Sequence, residues 1–342
     1  MAIDNSLTTR SLLKNLGIQE VLDYEGITEV AINQGEEIWF DRGNGWEFKK
    51  APECTFHNLN SLAKSLTVYS GLKTAFDDRN PIASVILPDG ERGQIITAPA
   101  TEYNTISFTM RKPSLTRFTV DDYQKSGRFD RIQEAEAYKK GSIPLYMQEM
   151  RKCQKEGCYA DFFKLAAANN MNVIAVGGTG SGKTTFAKAY ADLIPHDHRI
   201  ITIEDVHEVT LPYHKNHLHL FFDPDYQKSG GISPKELIKS AMRMKPDHIL
   251  LTELRGDETW NYFEALNTGH NGSITSTHAN DVSSTLARLT ALVVQSEMGK
   301  VLSEAFISKT IASALDVTCF FKHTYMTEIL FEPEKKLELI YG

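Results

Sequence analysis

A phosphate-binding motif lies near the middle of the chain. Residues 177–184 read "GGTGSGKT", which matches the pattern G-x-x-x-x-G-K-[ST]. In this pattern backbone N–H groups cradle phosphates, the lysine reaches the β- and γ-phosphates, and the next threonine supplies a hydroxyl to Mg2+. The residues predicted to contact nucleotide are Gly178, Thr179, Gly180, Ser181, Gly182, Lys183, Thr184 and Thr185.

Two acidic segments follow this motif, each at the end of an apolar run. Glu253 comes after "HILLT", and Glu204 and Asp205 come after "RIITI". Ligands of open parallel sheets bind outside the carboxyl ends of the strands, so these acids are expected beside the phosphates. We predict that Thr184 and Glu253 hold Mg2+, and that Glu204 or Glu253 orients the attacking water. The alternative for each acid is a residue that only caps a turn.

Histidines form two further groups. His270 and His278 flank the segment 272–277, where a histidine could contact a γ-phosphate or relay nucleotide state; the alternative is a pair of ordinary polar residues. His217 and His219 alternate along one short segment and would share a face of a strand. Because no carboxylate or cysteine lies at ligand spacing beside them in the sequence, we predict solvated or core-edge histidines there and not a metal site.

The elements that must position these residues alternate between strand and helix, which predicts a mostly parallel sheet with helices on its faces. "SPKELIKSAMRM" begins with the signals of a capping box, Ser233 and Glu236. The predicted strands are 172–176, 199–203, 248–251 and 272–277. The helix after the phosphate loop is predicted to bury one face, formed by Phe186, Ala189, Tyr190, Leu193 and Ile194.

The first 112 residues show a different pattern, in which short strands at 27–33, 37–40 and 45–50 precede a helix at 58–72. Residues 113–160 are polar and charged. The sequence therefore predicts three parts: an α+β domain (1–112), an inter-domain linker with partial helix (113–160) and a phosphate-binding α/β domain (161–342).

Composition is that of an ordinary globular protein. The 342 residues carry a net charge of −7, which weighs against a surface dedicated to nucleic acid. The four cysteines are too few and too scattered for a disulfide framework. No apolar run approaches the length of a membrane span or a signal peptide, so we expect a cytosolic protein.

Four segments together resemble a known family. In order, the phosphate-binding motif, "TIEDVHE", "LLTELRG" and "TGHNGSITSTHA" are similar to the Walker A, Asp-box, Walker B and His-box of the secretion-ATPase superfamily. "ITEVAIN", "LPDGERGQII" and "TISFTMRKPS" resemble the N-terminal domain of its type IV secretion branch, the traffic ATPases of conjugation and effector translocation. The type II secretion and pilus-assembly ATPases commonly carry a four-cysteine zinc module, and this sequence has no C-x-x-C.

The resemblance implies roles for individual residues. Lys183 and Thr184 would bind phosphate and Mg2+. Glu204 would be the catalytic carboxylate, and Glu253 would be the Walker B acid. His270 and His278 would be sensors, and Arg111 would reach the nucleotide from the N-terminal domain. Arg243 and Arg255 match recurrent arginines, and which of them would meet nucleotide across a subunit boundary stays open.

The resemblance also implies a fold and a function. The fold would be a C-terminal P-loop (RecA-like) α/β domain preceded by a smaller α+β domain. The protein would be a homo-hexameric ATP hydrolase that uses ATP and Mg2+, cytoplasmic and peripheral at the inner membrane. It would work with channel ATPases and scaffold proteins of a type IV secretion system, in substrate translocation and pilus biogenesis, without stable direct nucleic-acid binding. The alternatives are a nucleic-acid-translocating ring ATPase, a related pilus-assembly or type II secretion ATPase, and a nucleotide-binding scaffold.

Overall fold

The computed structural model describes residues 6–113, 117–132 and 142–341. Its N-terminal part is built on a six-stranded sheet of order β3-β2-β1-β6-β5-β4, in which every neighbouring pair is antiparallel. The strands are β1 (Glu29–Ile32), β2 (Glu37–Asp41), β3 (Trp46–Lys50), β4 (Ile82–Ile86), β5 (Arg92–Thr97) and β6 (Ile106–Arg111). The three strands predicted between residues 27 and 50 are confirmed as β1 to β3.

Three helices cover one face of this sheet: α1 (Ser6–Asn15), α2 (Ile18–Leu22) and α3 (Phe56–Tyr69). The Thr55 hydroxyl caps α3 by accepting the Asn58 N–H at 3.3 Å. Because Leu59, Leu62 and Leu66 recur at helical spacing, they form one buried stripe. That stripe packs into the core of the N-terminal part, together with apolar side chains of the sheet.

Helices also occupy the segment predicted as a linker. The first is α4 (Val120–Lys125), with a capping box of Thr119 and Asp122, and the next two are α5 (Leu145–Glu156) and α6 (Tyr159–Ala168). Met147 and Met150 of α5 pack in the same core cluster as Phe162 of α6. The C-terminal core therefore begins before residue 161. Residues 114–116 and 133–141 of the predicted linker lie outside the described residues.

The C-terminal part contains the parallel sheet that the sequence predicts, in two adjoining groups. One has the order β10-β8-β9 and the other β11-β7-β12-β13; all pairs are parallel except the β12–β13 hairpin. The Leu254 N–H donates to the Ser276 carbonyl at 2.8 Å, which links the two groups. The strands are β7 (Val173–Gly177), β8 (Ile200–Glu204), β9 (His217–Phe221), β10 (His248–Leu251), β11 (Ile274–Thr277), β12 (Val317–Lys322) and β13 (Tyr325–Leu330).

Besides α5 and α6, the described residues of this part form the α-helices α7 (Lys183–Ala191), α8 (Tyr226–Ser229), α9 (Pro234–Ala241), α10 (Glu258–Asn267), α11 (Thr285–Val294), α12 (Glu304–Ala314) and α13 (Pro333–Tyr341). The predicted capping box of Ser233 and Glu236 is confirmed at the start of α9. Across the described ranges, no helix combines the length and the apolar character that crossing a membrane requires.

The buried face predicted for α7 is wrong in part. Tyr190 and Ile194 are buried, but Ala189 and Leu193 are exposed. The Tyr190 hydroxyl donates to the Met171 carbonyl at 3.1 Å, just before β7, and this bond fixes which side of the helix faces the sheet.

The two parts of the chain meet along β9. The Phe221 N–H donates to the Ala100 carbonyl at 2.9 Å, and the Thr101 hydroxyl donates to the His219 carbonyl at 2.7 Å. Thr101 and Leu220 form an antiparallel bridge. Residues 100–101 thus cover the outer edge of β9.

A buried arginine joins the same two parts at the amino end of β8. Arg199 is fully buried, and its guanidinium donates to Asn216 Oδ1 at 3.1 Å and to Thr109 Oγ1 of β6 at 3.2 Å. The guanidinium also lies over the Trp46 ring, 5.0 Å from the centroid. The second face of the N-terminal sheet is therefore in contact with the amino-end side of the C-terminal sheet.

Candidate nucleotide site

The phosphate loop connects β7 to α7 with a backbone that requires glycine. Gly177 has φ 147°, and a Cβ there would lie 2.3 Å from the Phe321 carbonyl oxygen of β12. Gly182 precedes α7 with φ 98°, in the left-handed region. The loop thus packs tightly on β12 while the amino end of α7 faces outward, the arrangement that binds phosphate.

Lys183 is folded onto its own loop. Its Nζ donates to the carbonyl oxygens of Gly177 at 2.9 Å and Gly178 at 2.8 Å. Burial lowers the pKa of the Lys183 ammonium, and Glu253 opposes that shift. The ammonium therefore sits at the centre of the loop, where it can exchange carbonyl partners for phosphate oxygens.

A cavity of about 390 Å³ opens beside the loop at the carboxyl ends of β8, β10 and β11. Thr179, Gly180, Lys183 and Thr184 line one side. The facing side chains are Asp205, Glu208, Glu253, Arg255 and His278. The expectation that acids following these strands lie beside the phosphate loop is thus met by Asp205 and Glu253.

Arg255 connects the acids of the cavity. Its guanidinium donates to Asp205 Oδ2 and to Glu253 Oε2, both at 2.7 Å. Hydrogen bonding to Glu253, together with the negative charges of Glu253 and Asp205, raises the pKa of Arg255 above its usual value. His278 continues the chain of contacts, with Nε2 3.0 Å from Glu253 Oε1 and Nδ1 3.0 Å from the Gly177 carbonyl.

Thr184 and Glu253 are suited to hold Mg2+. Both line the same cavity, and Glu253 Oε1 is a buried carboxylate oxygen whose neighbour in the structure is His278 Nε2. Hydroxyl and carboxylate oxygens are the ligands that Mg2+ prefers. The residues present therefore fit the ion that the sequence motif implies.

Glu204 does not line the cavity. Its side chain is fully buried; Oε2 accepts the N–H groups of Glu208 at 2.9 Å and Val209 at 2.8 Å, and Oε1 accepts the Thr202 hydroxyl at 2.6 Å. Burial alone would raise the pKa of Glu204, but the hydrogen bonds from His219, Thr202 and the two backbone N–H groups hold it below its usual value. The structure thus places Glu204 under the loop that follows β8, not beside the phosphates.

Glu208 is the acid that the sequence reasoning missed. It lines the cavity, and its own backbone is held by Glu204. The signal was present in "IEDVHEV", since a turn after the strand can return the fourth residue to the strand end. Glu208 is exposed, whereas Asp205 and Glu253 are both paired with Arg255.

Three predicted site residues lie elsewhere. His270 precedes β11 and so lies at its amino end, across the sheet from His278. Arg243 precedes β10 and donates to Ser84 Oγ at 2.7 Å, a contact with the N-terminal sheet. Strands of a parallel sheet point the same way, so their amino ends lie opposite the nucleotide edge.

Arg111 is the third of these residues. It lies 3.6 Å from Glu29, and its side chain is 74% exposed. Burial raises the pKa of Glu29 to about 7, while the charges of Lys245, Arg111 and Arg199 oppose that rise. Because Arg199 immediately precedes β8, Arg111 belongs to the amino-end side of the C-terminal sheet, away from the phosphate loop of its own chain.

Residues 142–329 match the family described as Type II/IV secretion system protein. The chain is 36% identical over 327 residues to the Type IV secretion system protein VirB11 of Brucella abortus, covering 93% of this chain and 89% of that protein. It is 34% identical over 336 residues to VirB11 of Bartonella henselae, covering 95% and 94%.

The likeness extends to three dimensions. A crystal structure of the VirB11 ATPase from the Brucella suis type IV secretion system in complex with sulphate superposes with a TM-score of 0.91 at 35% identity. The superposition covers 100% of this chain and 99% of that one. Both the antiparallel N-terminal sheet and the parallel C-terminal sheet are therefore shared.

Proposed function

The chain belongs to the family of type II/IV secretion system proteins and is a secretion ATPase, and from that premise we propose that it powers substrate translocation and pilus biogenesis by a type IV secretion or conjugation system. The observation that carries the proposal is the cavity in which the phosphate loop faces Asp205, Glu208, Glu253 and His278. We propose that the working unit is a homo-hexamer, located at the cytoplasmic side of the inner membrane beside the channel ATPases and scaffold proteins. Stable direct binding of nucleic acid is not expected.

We propose a step for each side chain of the cavity. Lys183 would turn from the Gly177 and Gly178 carbonyls to the transferring phosphate. Thr184 and Glu253 would hold Mg2+, whose charge would stabilise the negative charge that develops on the phosphate. Glu208, the acid of the cavity outside the Arg255 pairs, orients the attacking water. Glu204 positions Glu208 through the backbone.

We propose that the loop after β8 couples the nucleotide cavity to domain motion. This loop carries Asp205 and Glu208 at the cavity, and His207 between them lies 3.7 Å from Glu102 of the N-terminal domain. A shift of the loop on nucleotide binding would therefore act directly on the contact between the domains.

We place the nucleotide contact of Arg111 across a subunit boundary. Arg111 lies away from the phosphate loop of its own chain and is exposed, so a contact with phosphate requires the nucleotide of a neighbouring subunit. A charge-assisted contact of this kind would link neighbouring subunits of the hexamer when nucleotide is bound.

The proposed assembly and activity are tested together by separating the protein by size, with and without ATP, and measuring mass and turnover in each fraction. We expect turnover in the fraction with the mass of six chains. Stimulation by DNA would favour a nucleic-acid-translocating ring, and folded protein without turnover in any fraction would favour a scaffold.

The placement of Arg111 is tested by mixing two variants that we expect to be impaired in turnover. Lys183→Ala chains and Arg111→Ala chains, dissociated and reassembled together, should recover activity because some sites then combine an intact Lys183 with a neighbour's intact Arg111. No recovery above the sum of the separate variants would exclude a contact in trans, and an Arg111→Ala protein as active as wild type would remove Arg111 from the site.

A further inference from the structure

A second group of ligand-type side chains lies behind the nucleotide cavity. The carboxylate of Glu204 and the imidazoles of His207 and His219 each offer a ligand atom, and these atoms lie within 4.8 Å of one another. In the ranges that the structure describes, no other set of three or more His, Cys, Asp or Glu side chains converges in this way. No carboxylate lies at ligand spacing beside His219 in the sequence, because its partner Glu204 is on a different strand.

The register of β8 and β9 brings two of these residues together. Thr202 of β8 pairs with His219 of β9, and Glu204 lies two residues further along β8, on the same face. His219 Nδ1 lies 3.3 Å from Glu204 Oε1. Two ligands about 2.0–2.1 Å from a tetrahedral zinc ion are roughly 3.3 Å apart, so this pair already has the spacing of zinc ligands.

His207 completes the group from the loop after β8. Its ring packs on that of His219, with 4.4 Å between the centroids, and its Nδ1 lies 3.7 Å from Glu102 Oε1. Histidines that bind metal usually direct their second ring nitrogen at a carboxylate. Glu102 is placed for that role, which leaves the other ring nitrogen of His207 for an ion.

The Thr202 hydroxyl orients the carboxylate in this cluster. It donates to Glu204 Oε1 at 2.6 Å and lies 2.7 Å from His219 Nδ1. In the tautomer that carries the ring proton on Nε2, His219 Nδ1 is free to act as a ligand atom, and the hydroxyl bond from Thr202 to Glu204 is kept. The cluster can therefore offer Nδ1 to an ion without losing the bond that orients Glu204.

We propose that Glu204, His207 and His219 bind one zinc-type transition-metal ion, with a fourth position open to water. Two imidazoles and one carboxylate suit zinc in number and in kind. The ion would anchor the loop that carries Glu208 to β9 and, through Glu102, to the N-terminal domain. It is separate from the Mg2+ position at Thr184 and Glu253.

The test uses the full-length protein stripped with a chelator, then titrated with Zn2+ or Co2+ in excess Mg2+ without nucleotide. Bound metal is measured after gel filtration, and the visible absorption of Co2+ reports tetrahedral coordination. His207→Ala is the primary variant, since His207 is exposed and its removal should spare the fold. His196→Ala is the matched control, because His196 is exposed and stacks on Tyr213 outside the cluster.

We expect one zinc per chain in the wild type, binding at least ~10-fold weaker in His207→Ala, and wild-type binding in His196→Ala. Glu102→Gln should weaken binding by roughly 10-fold. Absence of stoichiometric zinc in the wild type would overturn the proposal, as would wild-type affinity in His207→Ala. Zinc that persists in His207→Ala but is lost in His278→Ala would assign the ion to the nucleotide cavity instead.

Discussion

Replacing Glu204 by glutamine tests whether this side chain supports the loop after β8 or acts on water. The amide oxygen can still accept the N–H groups of Glu208 and Val209, and the amide NH2 can face Thr202 and His219. What is lost is the charge on the two buried hydrogen bonds from the Glu208 and Val209 N–H groups. Bonds to a charged group contribute about 1.5–3 kcal/mol each and neutral bonds about 0.5–1.5, so we expect the free energy of unfolding to fall by about 2 kcal/mol.

The pH dependence gives a second measurement of the same effect. The pKa of Glu204 is lowered in the folded chain from the usual 4.5. Its contribution to stability is therefore fully present above pH 4.5 and is lost as the pH falls through the lower, folded-state pKa. The difference between wild type and Glu204→Gln should be constant near neutral pH and disappear in acid.

The assay is urea unfolding with EDTA present, so that no bound metal contributes, together with ATP turnover of the native proteins in Mg2+. Glu208→Gln serves as the paired variant: it should keep wild-type stability and lose roughly 10²-fold or more in turnover. The opposite pattern would refute the reasoning: Glu204→Gln as stable as wild type but inactive, with Glu208→Gln fully active, would make Glu204 the residue that orients water.

Three further outcomes are expected. Lys183→Ala should lower kcat by roughly 10²-fold or more. The circular dichroism spectrum should stay that of wild type, because the hydrogen bonds that the structure shows for this side chain go to carbonyls of its own loop. Normal turnover would remove the nucleotide assignment. Gly177→Ala should lower the free energy of unfolding by roughly 3 kcal/mol, measured in urea, since its Cβ would lie 2.3 Å from the Phe321 carbonyl oxygen. Burial raises the pKa of Glu29 from 4.5 to about 7. Its contribution to the free energy of unfolding is therefore present below pH 4.5 and is lost as the pH rises through 7. The free energy of unfolding of Glu29→Gln, measured against pH, should lack this loss of about 3 kcal/mol.

Local signals predicted the framework of this site. The apolar run 248–251 forms β10 with the predicted bounds, and the capping box of Ser233 and Glu236 forms as written. Such features depend on neighbouring residues only. The phosphate loop belongs to the same class, since its strand, glycines and helix are contiguous in the chain.

The sequence did not predict the positions of side chains that depend on what surrounds the strand ends. Glu204 and Glu208 are both close to the end of β8, and a turn that Glu204 itself stabilises decides which one faces the cavity. His270 and His278 were separable in principle, because a strand between them sends them to opposite edges of the sheet. The position of Arg111 was not predictable from the sequence, since it depends on how the two domains dock through contacts between residues distant in the sequence.

The cover that residues 100–101 place over β9 has a consequence for the C-terminal domain on its own. An uncovered edge strand presents unpaired N–H and C=O groups, which are a template for pairing with other chains. In the intact protein the Phe221 N–H and the His219 carbonyl are taken by Ala100 and Thr101. A fragment that begins at residue 142 would carry the complete phosphate loop but an open β9, and we expect it to self-associate through that edge. By covering the edge of β9, the N-terminal domain thus protects the C-terminal domain from aggregation through that edge.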